Sequence, residues 1–210
     1  MTINPQIISE FRRHLTDNEA FLLKIFGAVD SEKNHWKLIN SCLDWMTVAT
    51  HYIDGNWNIC GNHDEKSMHL YSLISAADLI FESIQQLNRI VNGRKSKCPF
   101  ANESTIFENK IYPLLDDNKY FKELRSIFGA HPVNLKKNGE DENTTDSKMY
   151  SSWSHEMDPG VFSVYLYSLN KDINDIQVEL KVTNLKAFIQ SRYMYLDILK
   201  KEVNKKIQAY

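Results

Sequence analysis

MHLYSLISAADLIFESIQQLNRIV, residues 68–91, places Leu70, Leu73, Ile74, Ala77, Ile80, Phe81, Ile84, Leu87 and Val91 at steps of three and four. That spacing lines one face of an α-helix with apolar side chains. Gly93, just past its end, is the residue that most readily takes the left-handed conformation closing a helix. A helix this long cannot bury its stripe alone, so the chain must supply further helices to cover it.

The segments before it do so. Asn4-Pro5 opens a helix with Ile7, Ile8, Phe11 and Leu15 on one face, interrupted near Asp17 and resuming through Phe26; proline in the first turn costs nothing there. Ser31 is the expected cap of a second helix reaching about Tyr52. IDGNWNICGNHDEK then reads as a loop rich in Gly, Asn and Asp. Downstream, residues 92–105 read as a polar loop, Ile106 to Leu115 as a short helix broken at Pro113, and Asn118 to Ala130 as another helix. The stretch 136–158 is too charged and polar to pack, which predicts a mobile loop. The period then changes from 3.6 to 2. Residues 161–169 (VFSVYLYSL) and 176–182 (IQVELKV) alternate apolar and polar positions around NKDIND, the pattern of a β-hairpin over about 161–182. Thr183 or Asn184 would cap a last long helix with Leu185, Phe188, Ile189, Leu196, Leu199 and Val203 on one face. The expectation is one domain over residues 1–210: a mainly α, antiparallel helical bundle with an inserted two-stranded hairpin near the C-terminus.

A length of 210 residues with 42% hydrophobic content suits a domain with its own core. A net charge of −2 and a pI near 6.4 exclude a generally basic nucleic-acid-binding surface, so any such contact must be local. One local source is residues 181–210, where seven Lys and Arg face only Asp197 and Glu202; the same run also suits a solvated helix face. Three widely spaced cysteines, Cys42, Cys60 and Cys98, fit a reducing compartment better than a disulfide framework. With no stretch resembling a signal peptide or a membrane span, the expected location is cytoplasmic, with no membrane contact. Cys60, His63, His69 and His51 are of zinc-ligand type, but they lack a second paired unit, so no metal and no cofactor is expected.

The chemistry concentrates in FKELRSIFGAHPVNL, residues 121–135. Phe121, Leu124, Ile127 and Phe128 form an apolar stripe, with Arg125 three positions before Phe128 and His131 three after it. On a straight helix a six-residue step separates two side chains by roughly 120° and about 9 Å along the axis. Gly129 and Pro132 bracket the histidine and predict an irregular helix end, where the second side chain turns back toward the first. Two uses of such a pair stay open. Arg125 would hold a phosphate while His131 moves protons, or Arg125 would pair with a carboxylate while His131 closes the helix terminus.

Leu-Arg-Ser-Ile-Phe-Gly-Ala-His-Pro, residues 124–132, resembles the Arg-x(4–6)-His motif of HEPN-domain proteins. The resemblance implies a helical bundle, commonly a homodimer, and a metal-independent ribonuclease of a toxin, abortive-infection or CRISPR-associated system, with an antitoxin or other defence protein as a further partner. It implies RNA cleavage by the substrate's own 2′-hydroxyl, with Arg125, His131 and Ser126 as catalytic residues. The family often has Asn where Ser126 stands, and a serine hydroxyl keeps a hydrogen-bond donor at that position. A catalytically silent bundle binding RNA, a nucleotide or a protein is the alternative.

Further substrate-binding candidates come from periodicity. Asn40, Asp44, Thr47 and His51 make a narrow polar stripe on a largely apolar helix, which nominates Asp44 and His51. Arg192 interrupts the apolar face of the last helix, where it would snorkel, pair internally or reach a phosphate. His155 and Trp153 stand together in WSHEMDPG, where an aromatic ring would stack on an RNA base.

Overall fold

The computed structural model describes residues 3–27, 34–130, 135–136, 148–154 and 160–209. These residues are mainly helical, with one antiparallel sheet. The chain divides into two compact units, and both are assembled from separate segments: residues 1–58, 76–101 and 189–210 make the first, residues 59–75 and 102–188 the second.

In the first unit, α1 (Gln6–Asp17) and α2 (Glu19–Phe26) are separated at Asn18, close to the interruption expected at Asp17. Both pack on α3 (His35–Gly55). The cap of α3 is Asn34, whose side chain accepts the Lys37 N–H at 3.1 Å; the expected cap, Ser31, lies outside the described residues. The unit also takes the C-terminal part of α4 (His63–Asn92) and most of α6 (Val182–Gln208). Every apolar position assigned to the stripes of those two helices is buried. Tyr193 ties the first and last helices together: its hydroxyl accepts the Ile8 N–H at 3.0 Å and donates to the Asn4 carbonyl at 2.9 Å. Burial pushes that phenol up to about 12.

Helix α4 begins at His63, five residues before the expected start. The residues responsible are Asn62 and Glu65, which form a reciprocal cap: the Glu65 N–H donates to Asn62 Oδ1 at 3.0 Å and the Asn62 N–H to Glu65 Oε2 at 2.8 Å. At the other end Gly93 has φ +92, the left-handed closure expected there.

The second unit corrects two expectations. The short helix over 106–115 does not form. Instead the buried Asp117 carboxylate accepts the Thr105 and Ile106 N–H groups at 2.8 and 3.0 Å and pairs with Lys110 Nζ at 2.8 Å. Lys110 also reaches Ser104 Oγ and the Leu115 carbonyl. The polar groups a helix would have bonded to itself are therefore organised around one side chain. From there α5 (Asp117–Arg125) runs directly into a π-helical turn, Ser126–Ala130.

The second correction is the sheet, whose strand order is β1 (Leu135–Lys136), β2 (Lys148–Trp153), β3 (Val161–Ser168) and β4 (Ile176–Lys181). The hairpin pairs as its alternation requires, with Phe162 opposite Leu180 and Val164 opposite Val178, all four buried. It is not two-stranded, because β2 lies antiparallel along β3, from Met149 opposite Ser168 to Trp153 opposite Val164. Lys136 and residues 148–153 of the stretch expected as a mobile loop thus enter the sheet, and residues 137–147 and 155–158 lie outside the described residues. Helix α6 follows β4 without a linker, so Thr183 and Asn184 sit in its first turn rather than capping it.

Candidate functional site

The motif occupies a junction between two helical geometries. Arg125 is the last residue of α5, half-buried, and its cation suits the negative end of that helix. Ser126, also half-buried, is the first residue of the π turn. Single π turns are uncommon and recur at functional sites, since they change the direction in which successive side chains leave the helix. The irregular helix end expected from Gly129 and Pro132 is thus a π turn in the residues preceding position 131. His131 and His155 lie outside the described residues.

The sheet supports this turn. Ser151 of β2 donates its hydroxyl to the Ile127 carbonyl at 2.8 Å, satisfying one of the acceptors a helix end leaves without an intrahelical partner. Trp153 meets Phe128 edge to face, with ring centroids 5.6 Å apart. Gly129 has a steric role: a Cβ at this position would collide with the ring of Tyr71, with Cε2 only 2.7 Å away. The absence of a side chain lets the Tyr71 ring approach the π turn closely.

Between these pieces lies an open pocket of about 570 Å³, within the usual range for small-molecule sites. Ile127, Phe128 and Gly129 form one wall, β2 from Ser151 to Trp153 another, and the first turns of α4 a third, with His63, Asp64, Met68 and Tyr71. Of the residues nominated from sequence, Trp153 is brought to the motif segment. Arg125 and Ser126 are not among the described residues lining the pocket. His63 and Asp64 were missed because that stretch reads as loop; Asn62-x-x-Glu65, an N-terminal helix signature, was the signal that would have placed them on a helix.

The remaining candidates belong to the first unit. Asp44 is well exposed and pairs with Arg12 at 2.8 Å, joining α3 to α1, and His51 is exposed on the same helix. Arg192 is buried at 1% exposure, its guanidinium 4.7 Å from the centre of the Phe100 ring and its Nη1 donating to Ser191 Oγ at 2.7 Å. It is therefore enclosed rather than snorkelling. Among the described residues no three His, Cys, Asp or Glu side chains gather as a metal site, and no helix is long and apolar enough to cross a membrane.

Compared with known proteins, the chain matches no family model, no curated protein and no solved structure.

Proposed function

We propose that the protein is a metal-independent endoribonuclease of HEPN type, an antiparallel bundle acting as a homodimer in a toxin or phage-defence setting. The observation that carries this reading is the position of Arg125 and Ser126 at the entry to a π turn, in a segment that reads Arg-x(5)-His. Arg125, always charged and forked, holds the scissile phosphate and stabilises the charge that grows on it in the transition state. His131 serves as the acid or base for the 2′-hydroxyl and the leaving 5′-oxygen, since imidazole exchanges protons near neutral pH. Ser126 orients the phosphate or the imidazole. The products are a cyclic phosphate and a 5′-hydroxyl, with no metal required by the chemistry.

A second reading, a silent bundle that binds RNA or a nucleotide, is favoured by the aromatic pocket, which would hold a base without any cleavage. The two are separated by incubating the protein with total RNA in EDTA beside His131→Ala. Cleavage that survives EDTA and disappears in the variant supports the enzyme. Equal cleavage by both proteins removes His131 from the mechanism, and binding without cleavage supports the second reading.

A further inference from the structure

The pocket beside the π turn has a composition that selects among ligands. Three aromatic rings, Tyr71, Phe128 and Trp153, line it together with Met68, so its walls suit a flat, apolar-faced ring. No Lys or Arg lies among its described lining residues, which argues against an anion as the group it holds. Its acidic group is instead the carboxylate of Asp64, in the first turn of α4. Among the described residues this carboxylate has no hydrogen-bond or ion-pair partner, and its residue is exposed at the pocket rim. An ionised carboxylate only accepts hydrogen bonds, through two oxygens side by side.

We infer that this pocket is a base-binding subsite selective for guanine in single-stranded RNA, with the ring held against Tyr71 and Trp153 and Asp64 accepting from the base edge. Guanine is the base whose Watson–Crick edge offers two adjacent donors, the ring N1–H and the exocyclic amine, matching the two carboxylate oxygens. Adenine and cytosine offer a single exocyclic amine, and uracil a single ring N–H. The choice of RNA as the natural ligand rests on the ribonuclease reading; the choice of guanine rests on the pocket alone. Because Ile127 to Gly129 form its wall, a base held there lies next to the motif segment without occupying the position of Arg125.

The test uses the full chain and neutral nucleosides, so that phosphate contacts play no part. Guanosine, adenosine, cytidine and uridine are titrated by calorimetry against the wild type, Asp64→Asn and Tyr71→Ala, with circular dichroism as the check on folding. Asp64 is exposed, and Tyr71 is 39% exposed with its ring against Gly129, so the circular dichroism check matters most for Tyr71→Ala. Guanosine is expected to bind roughly tenfold more tightly than the other three, the discrimination a good bidentate contact provides. Asp64→Asn should bring guanosine within about twofold of adenosine, and Tyr71→Ala should weaken all four nucleosides roughly tenfold. Equal affinities for the four, or a guanosine preference that survives Asp64→Asn, overturns the inference. Selective guanosine binding by a chain that cleaves no RNA supports the subsite and defeats the ribonuclease reading. RNA cleavage with no bias toward guanine and no guanosine binding defeats the subsite alone.

Discussion

Asp117 and Lys110 are 0% and 3% exposed at their side chains, and a buried ion pair stabilises a fold only when its remaining hydrogen-bonding capacity is filled. Here it is filled, because the carboxylate also accepts backbone N–H groups and the ammonium reaches Ser104 and the Leu115 carbonyl. Burial by itself would raise the Asp117 pKa; Lys110 and the N–H donors outweigh it and hold the value below the ordinary 3.8. A lowered folded pKa means this stabilisation is present above the unfolded value and lost as pH falls through the folded one. Lys110→Met strands the carboxylate, so urea unfolding at pH 7 should show a loss of about 3 kcal/mol or more. The deficit should shrink toward pH 3, where the stranded group takes up a proton. A deficit independent of pH would place the damage elsewhere. None of this was legible in the sequence, because the pattern around Pro113 carries apolar residues at helical spacing and says nothing about a carboxylate claiming N–H groups eleven and twelve residues before it.

At the scale of elements, the long helices and the hairpin were readable because their periods persist. Nine apolar positions on α4 and six on α6 leave little choice of face, and all are buried. Strand β2 was not readable. Met149, Ser151 and Trp153 share one face by the period of two, and the central position is a serine, which breaks the apolar alternation while its hydroxyl serves the Ile127 carbonyl. A strand whose inner face contains a hydrogen-bonding residue resembles a polar loop until its partner is known. The start of α4 was hidden differently, behind a polar first turn that only the Asn62 and Glu65 cap reveals. Asn62→Ala should lower stability by about 1 kcal/mol, measured as a fall in thermal midpoint. Restoration of the midpoint by Ser at position 62, and not by Val, would identify the cap as the cause.

At the scale of the whole molecule, two units built from non-contiguous segments share two uninterrupted helices, α4 and α6. That organisation escapes a reading in which the chain is followed once from end to end. The candidate pocket was legible where it depended on residue type, as with Trp153, and illegible where it depended on segments meeting, as with Tyr71 over Gly129. A pH response is expected from His14 in the first unit. Burial, then the positive charge of Lys200, lowers its pKa from the ordinary 6.5. Its neutral form is therefore the one the fold favours, and stability should decline as pH falls below about 6.5 toward the lower folded value, because the unfolded chain binds a proton the folded chain resists. His14→Gln should flatten the thermal midpoint over that interval; an unchanged slope would assign the response to another group.

The proposed activity rests on Arg125, and the most direct measurement is the chemistry of the cut ends. RNA incubated with the wild type in EDTA should carry 2′,3′-cyclic phosphate and 5′-hydroxyl termini, and Arg125→Ala should lower the cleavage rate by about a hundredfold or more, as expected when a transition-state charge loses its partner. Intact RNA, 5′-phosphate ends, or cleavage undiminished in Arg125→Ala would contradict it.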